Sequence, residues 1–273
     1  MTDSLVDHYA GSGDLTSAIA AALDAAGIER EGIATTVLAP VDEFHIRGRT
    51  ATLEMARALR VDATSRVLDI GSGLGGPART IAEATGAHVT GVDLTPAFSA
   101  AAADLSAWTG LGGKTAFLVG DATALDFPDA HFDAALTVHV GMNVADKPAM
   151  YREARRVLAP GARFVAYDVL QGPGGEVHYP VPWARDSATS FLASPDEMAA
   201  FLSDAGFTIV DRADSSAESL AWFEAMAARL AESGGPPVTF GTFLGRDFAD
   251  ITRNQVANLR EERIRTVTFV CEA

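Results

Sequence analysis

The sequence predicts an α/β fold built on a parallel sheet, and three observations carry that expectation. Short apolar runs alternate with helix-compatible stretches of 10 to 15 residues along the middle of the chain, the pattern that crossover helices on both faces of a parallel sheet require. The first of these runs, "VLDI", passes directly into the glycine cluster "GSGLGG" at residues 71–76. The second run ends on Asp93, and the third is followed by Gly120-Asp121-Ala122. Carboxylates therefore collect at the strand ends, where ligands bind in open α/β sheets.

Taken in order, residues 15–27, "LTSAIAAALDAAG", read as a helix closed by Gly27, and a second helix is expected over 48–60. The intervening "LAPVDEFHIRGR" mixes polar and apolar residues without a clean period. "RVLDI" then reads as a strand, and "PARTIAEATG" as a helix with Pro in its first turn and Gly86 at its end. "HVTGVD" (strand), "PAFSAAAADLSAWTG" (helix), "TAFLVG" and "FDAALTV" (strands), "KPAMYREARRVL" (helix) and "ARFVAYDVL" (strand) continue the alternation. Residues 171–194 form a Gly- and Pro-rich loop too long to be idle in a compact domain. A helix over 195–205, opened by Ser194 and Pro195, leads to the strand "FTIVDRA". Helices around 217–232 and 247–262 then precede a last strand, "RTVTFVCEA".

Composition narrows the function classes. The chain has 273 residues, 48% hydrophobic and 21% charged, enough for one large α/β domain with additions. A formal net charge of −15 argues against a nucleic-acid partner, which needs clustered Lys and Arg. Only Lys114 and Lys147 are lysines, which disfavours Schiff-base chemistry. The lone Cys271 cannot build an intramolecular disulfide or a thiolate metal cluster. The N-terminus lacks a signal-peptide pattern, and no apolar run reaches the roughly 18 residues of a membrane span, so cytoplasm is the expected compartment.

Gly71, Gly73, Gly75 and Gly76 lie at a strand-to-helix turn, where missing Cβ atoms let a nucleotide approach and the helix N-terminus offers free N–H groups. Asp93, 20 residues after Gly73, can accept both hydroxyls of a ribose. Dinucleotide and methyl-donor sites share these features. Asp69 separates them, because a carboxylate two residues before the first glycine repels a pyrophosphate and attracts a sulfonium ligand with an α-ammonium group. Asp121 can likewise accept from an exocyclic adenine amine, with backbone N–H groups meeting the ring nitrogens.

The motifs "VLDIGSGLGGPA", "TGVDLTP", "VGDATALDFPDAHFDAA" and "RVLAPGARFVAYD" resemble, in order, those of the class I S-adenosylmethionine-dependent methyltransferases. The resemblance covers roughly residues 50–215 and the final strand, and "HVGMNVADK" and "PVPWA…SFLASPDEM" are similar to the sarcosine and dimethylglycine N-methyltransferases. The tocopherol and sugar O-methyltransferases belong to the same small-molecule branch. The resemblance implies a Rossmann-like seven-stranded sheet with an antiparallel last strand, S-adenosyl-L-methionine as cofactor and a small-molecule substrate. It assigns Asp69, Gly71 and Gly73 to the methionine end, Asp93 and Leu94 to ribose and adenine, and Asp121 and Ala122 to adenine. The expected organisation is a helical cap over 1–60 and a methyltransferase domain over 61–273, with a substrate-covering loop at 171–194 and a helical insertion at 216–262.

Around that framework, His139 follows the "FDAALTV" strand, where it can line the cofactor or serve as a general base. Asn143 could orient an acceptor group. His45, flanked by Asp42, Glu43, Arg47 and Arg49, is a second base candidate, with Arg49 as a substrate contact. Tyr9 is expected to fold over the cofactor, and Tyr179 and Trp183 to offer aromatic faces to substrate. Trp222, at helical spacing, reads as packing. The remaining histidines show no metal-ligand spacing. Two rival classes stay open at this point: an NAD-dependent oxidoreductase, and a non-methylating S-adenosylmethionine-binding protein such as a cyclase. A homodimer is also left open.

Overall fold

The computed structural model describes residues 15–233, 235–236, 238–239 and 247–273. Three helices come first: α1 (Leu15–Ala25), α2 (Thr35–Asp42) and α3 (Gly48–Leu59). The alternating core follows, with β1 (Arg66–Ile70), α4 (Gly76–Thr85), β2 (His88–Asp93), α5 (Pro96–Trp108), β3 (Thr115–Val119), β4 (Phe132–Val138), α6 (Lys147–Val157) and β5 (Leu158–Gln171). The chain continues through α7 (Pro195–Asp204), β6 (Thr208–Asp214), α8 (Ser216–Ser233), α9 (Phe248–Arg260) and β7 (Ile264–Glu272).

One seven-stranded sheet runs in the order β3-β2-β1-β4-β5-β7-β6. Strands β1 to β5 pair in parallel, while β7 inserts antiparallel between β5 and β6. The seven strands and antiparallel last strand expected from the motifs are thus present. Strand β1 holds the centre, Val67 pairing with Val89 on one side and Ala134 on the other. Its side chains alternate between faces. Leu68 and Ile70 join α6 and α7 residues such as Met150, Tyr151 and Leu202 in one core. Val67 packs on the opposite face with Met55 of α3 and Ile81 of α4.

Local chemistry sets the helix ends. Gly86 terminates α4 at φ 76° with its N–H on Ala82, the left-handed cap that glycine adopts without Cβ cost. Asp146 caps α6 by accepting from the Ala149 N–H, and Ser194 and Glu197 form a reciprocal capping box at α7.

Two sequence expectations need correction. The stretch between the first two expected helices contains α2, an eight-residue helix with Pro40 inside and no side-chain cap. Strand β5 extends beyond "ARFVAYDVL" at both ends: Leu158 pairs with Phe132 of β4 at one end, and Gln171 with Ile264 of β7 at the other. Residues 171–194 are largely irregular but closely packed, with Val181, Trp183 and Ala184 buried. They share an apolar cluster with Ile46, Met142, Leu259 and Ile264.

Candidate functional site

The glycine turn after β1 is held from two sides. Gly71 and Ser72 donate their N–H groups to the Val92 carbonyl at 2.7 and 3.1 Å. Asp93, at the end of β2, accepts from Gly73 N–H through Oδ2 and from Thr95 N–H through Oδ1, both at 2.8 Å. Burial raises the Asp93 carboxyl above its ordinary range, and these hydrogen bonds oppose the rise. Gly71, at φ 78°, has no room for a side chain, since a Cβ would lie 2.2 Å from Val140 Cγ2. Gly73, at φ 51°, would meet nothing within 4 Å, so its backbone borders open space.

That space is a cavity of about 220 Å³. Of the residues expected to bind cofactor, Gly71, Gly73, Asp93, Leu94, Asp121, Ala122 and His139 line it, and Asn143 joins them. Asp69 does not. It lies on the same face of β1 as Val67, 1% exposed beneath the turn, and its Oδ2 has no hydrogen-bond partner. Burial pushes its carboxyl up to about 7, reinforced by the charges of Glu43 and Asp93 and opposed by Arg79. Asp121 is exposed, and its Oδ1 closes a local turn by accepting from Thr123 N–H at 2.8 Å and Oγ1 at 2.7 Å. Sequence reasoning missed Ser72, whose buried Oγ is also unpartnered, and the wall residues Phe44 and Phe98.

A second cavity, about 1010 Å³, lies between the α2–α3 segment and the α8/α9 pair. Phe44, His45 and His139 line both cavities. They form the junction.

At that junction two imidazoles meet edge to face with ring centroids 5.9 Å apart, and Tyr167 of β5 lies 4.9 Å from His139 and 6.3 Å from His45. His139 adopts φ 54°, left-handed and uncommon for a non-glycine residue. Its N–H donates to the Tyr167 carbonyl at 2.8 Å, and its Nε2, out of solvent, has no partner. Burial, with the neighbouring His45 charge, holds its pKa well below the ordinary imidazole value. His45 is buried, with Nε2 3.0 Å from the Gly48 carbonyl and 3.1 Å from Thr52 Oγ1. Burial lowers it to about 4, against opposing contributions from the Gly48 hydrogen bond and Asp42. Both rings are therefore neutral at pH 7. Glu43, also buried, accepts from Thr52 and Thr80 hydroxyls, and burial pushes its carboxyl upward.

The other candidates are placed as follows. Arg49 lines the second cavity, but its guanidinium donates to Thr80 Oγ1 at 2.6 Å and to Glu83. Asn143 donates its amide to the Trp183 carbonyl at 2.8 Å, tying the β4 loop to the 171–194 segment rather than leaving that group for an acceptor. Trp183 lines the second cavity and is anchored by Nε1 donating to Ser190 Oγ at 2.9 Å. Tyr179 is half-buried in the adjoining apolar cluster and lines neither cavity. Trp222, read as packing, does pack against Phe223 and also lines the second cavity. Tyr9 lies outside the described residues.

An ion pair clamps the N-terminal helices onto the glycine turn. Arg79 of α4, 0% exposed, donates to Asp42 Oδ2 at 2.6 Å, to the Leu74 and Ala102 carbonyls at 2.5 and 3.0 Å, and to Ser106 Oγ at 3.1 Å. Gly76 allows the approach, because a Cβ there would lie 2.2 Å from the Asp42 carbonyl oxygen.

Sheet order, glycine turn and acidic strand end together give the Rossmann-like seven-stranded methyltransferase fold. Residues 68–166 match the family model of a methyltransferase domain. A sterol 24-C-methyltransferase of Gibberella zeae is 37% identical over 116 residues, which is 42% of this chain and 30% of that protein. The chain thus spans less than a third of that relative's length. Among solved structures, the [4+2]-cyclase SpnF is 25% identical with a TM-score of 0.65, covering 82% of this chain and 80% of its own. A geranyl diphosphate C-methyltransferase from Streptomyces coelicolor A3(2) shares the fold over 99% of this chain and 97% of its own, at 16% identity and a TM-score of 0.69. S-Adenosylmethionine fits the residues present: an unhindered glycine backbone, a ribose-competent carboxylate, and unpartnered Asp69 Oδ2 and Ser72 Oγ atoms around one turn.

Proposed function

We propose that this chain transfers a methyl group from S-adenosylmethionine to a small-molecule acceptor. The observation that carries the reading is the junction of the two cavities at Phe44, His45 and His139, one cavity bordered by the nucleotide-binding turn and the other roomy enough for an acceptor. Bound S-adenosylmethionine supplies an electrophilic methyl carbon.

The chain's own residues do the rest. In this reading the Asp93 carboxylate accepts from the ribose hydroxyls while it keeps the Gly73 N–H. Leu94 and Ala122 flank the adenine, and Asp121 accepts from its amine. Asp69 lies beneath Gly71 and Gly73 rather than touching the ligand, and the positive sulfonium end above it would favour its ionised form. His139, neutral and with Nε2 unpartnered, takes the proton of an acceptor that must lose one, with His45 beside it. Alignment in this enclosed junction can supply roughly 7–11 kcal/mol of the barrier. The described part of the expected cap, residues 15–60, covers the glycine turn, and 171–194 with the described residues of 216–262 form the cover over the acceptor.

Calorimetry with S-adenosylhomocysteine, followed by transfer of labelled methyl to a panel of hydroxylated, amine and alkene small molecules, tests the proposal. Binding with a labelled product supports it. Binding with no label in any member favours the cyclase-type alternative, and no binding overturns the cofactor assignment. A cytoplasmic location and a homodimer belong to the same proposal, and fractionation and light scattering test them.

A further inference from the structure

The second cavity carries a statement about the acceptor's size and charge. Its volume of about 1010 Å³ stands at the upper end of the roughly 300–1,000 Å³ that hold a drug-sized ligand. An amino-acid-sized amine would leave most of it filled with water. The wall is mainly apolar: Trp183 from the 171–194 segment, Trp222, Phe223 and Met226 from α8, and Ile251 from α9. Ordered water has few polar partners on such a wall, whereas apolar ligand surface gains roughly 25 cal/mol for every Å² it buries.

Charge points the same way. Arg47, Arg49 and Arg229 line the cavity, and the acidic residue among the described lining residues is Glu43. The Glu43 carboxyl is occupied by Thr52 and Thr80 and driven toward its neutral form by burial. Arg47 and Arg49 pair with Glu54 and Glu83, which lie outside the lining, so a cationic amine entering here would give up its hydration on a wall whose carboxyl, Glu43, is already occupied. Cation–π attraction to the tryptophans, about 0.5–2 kcal/mol, is small beside that desolvation.

We infer that the second cavity takes an extended, predominantly apolar acceptor, uncharged or anionic, with a fused-ring or long-chain skeleton. The inference rests on the methyl-transfer reading, because that reading makes this cavity the acceptor site.

Calorimetry on protein saturated with S-adenosylhomocysteine tests it with four probes: oestradiol, sarcosine, dodecanoate and dodecylammonium, the last two below their micellar concentrations. Oestradiol is expected to bind with Kd on the order of 10 μM, and sarcosine to give no heat up to millimolar concentration. Dodecanoate is expected to bind at least about tenfold tighter than dodecylammonium. Met226→Trp, and Leu230→Trp as a second filling variant, should weaken oestradiol about tenfold while the S-adenosylhomocysteine Kd, which also reports folding, stays unchanged. Tighter binding of sarcosine or dodecylammonium overturns the inference, as does oestradiol binding that neither filling variant affects. If S-adenosylhomocysteine binds and no apolar probe does, the size and charge inference alone falls. If S-adenosylhomocysteine does not bind, the methyl-transfer reading falls and the acceptor assignment with it.

Discussion

Replacing Arg79 with methionine keeps the volume of the side chain and removes its charge, which isolates the clamp between α2 and the glycine turn. Asp42 is 5% exposed and would lose its partner at 2.6 Å, and the Leu74 and Ala102 carbonyls would lose a donor. Stranding one member of a buried pair costs about 3–5 kcal/mol. The pH dependence is the sharper readout. Even with Arg79 present, burial pushes the Asp42 carboxyl from 3.8 up to about 6, and without the guanidinium it rises further. A carboxyl with a raised folded pKa stabilises the fold fully below its unfolded value and loses that contribution as pH climbs through the folded value. The wild-type loss therefore ends near pH 6, whereas the variant keeps losing about 1.4 kcal/mol per pH unit above it until its own folded pKa is passed. Urea unfolding at intervals between pH 5 and 8 measures the difference, with stability taken from midpoints at constant slope. The Arg79→Met/Asp42→Asn double variant should lose the extra pH slope, because no titrating group remains at position 42. An Arg79→Met deficit below about 1 kcal/mol, or one that does not change between pH 6 and 8, refutes the reasoning.

Other outcomes follow from the same geometry. Asp93→Ala removes two charge-assisted acceptors worth about 1.5–3 kcal/mol each, so the Kd for S-adenosylhomocysteine should rise roughly 10²- to 10⁴-fold in calorimetry. His139→Ala should lower kcat for a proton-losing acceptor by about 10²- to 10⁴-fold and leave cofactor affinity nearly unchanged. Because burial holds His139 well below its ordinary value, the base stays unprotonated in mild acid. Turnover limited by it should show its acid limb below the ordinary imidazole value of about 6.5, as a rate profile will show. Gly76→Ala places a Cβ against backbone at 2.2 Å, and its urea midpoint should report a loss of about 1–3 kcal/mol.

The sheet was legible because its strands are short, apolar and punctuated. Pro77, Pro96 and Pro195 open helices where a missing N–H costs nothing, and Gly86 closes one in the left-handed region. Helix α2 was not legible, since eight residues interrupted by Pro40 carry too little periodicity to stand out. Within the site, Gly71, Gly73 and Asp93 could be placed from spacing alone, because strand ends in a parallel sheet share one edge. What spacing cannot give is side-chain direction and partnership. Asp69 turns under the glycines instead of into the cavity, and the Asn143 amide is claimed by a carbonyl 40 residues away. Arg79 and Asp42 are 37 positions apart, and nothing local in either segment marks them as a pair. Likewise, nothing in the sequence around His139 marks its left-handed backbone, which local propensity disfavours for a non-glycine residue.

The contact between Gly71 and Val140 has a consequence for how such a protein could acquire new substrates. With no gap between the two loops, the turn that holds the donor and the residue next to His139 behave as the jaws of one vice. A displacement of about 1 Å at a reacting centre can cost about a hundredfold in rate, so variation in the jaws is heavily penalised. The far wall, built from α8, α9 and the 171–194 segment, lies outside them. In the methyl-transfer reading, acceptor preference can drift there, one wall residue at a time, while the distance across which the methyl group travels stays fixed.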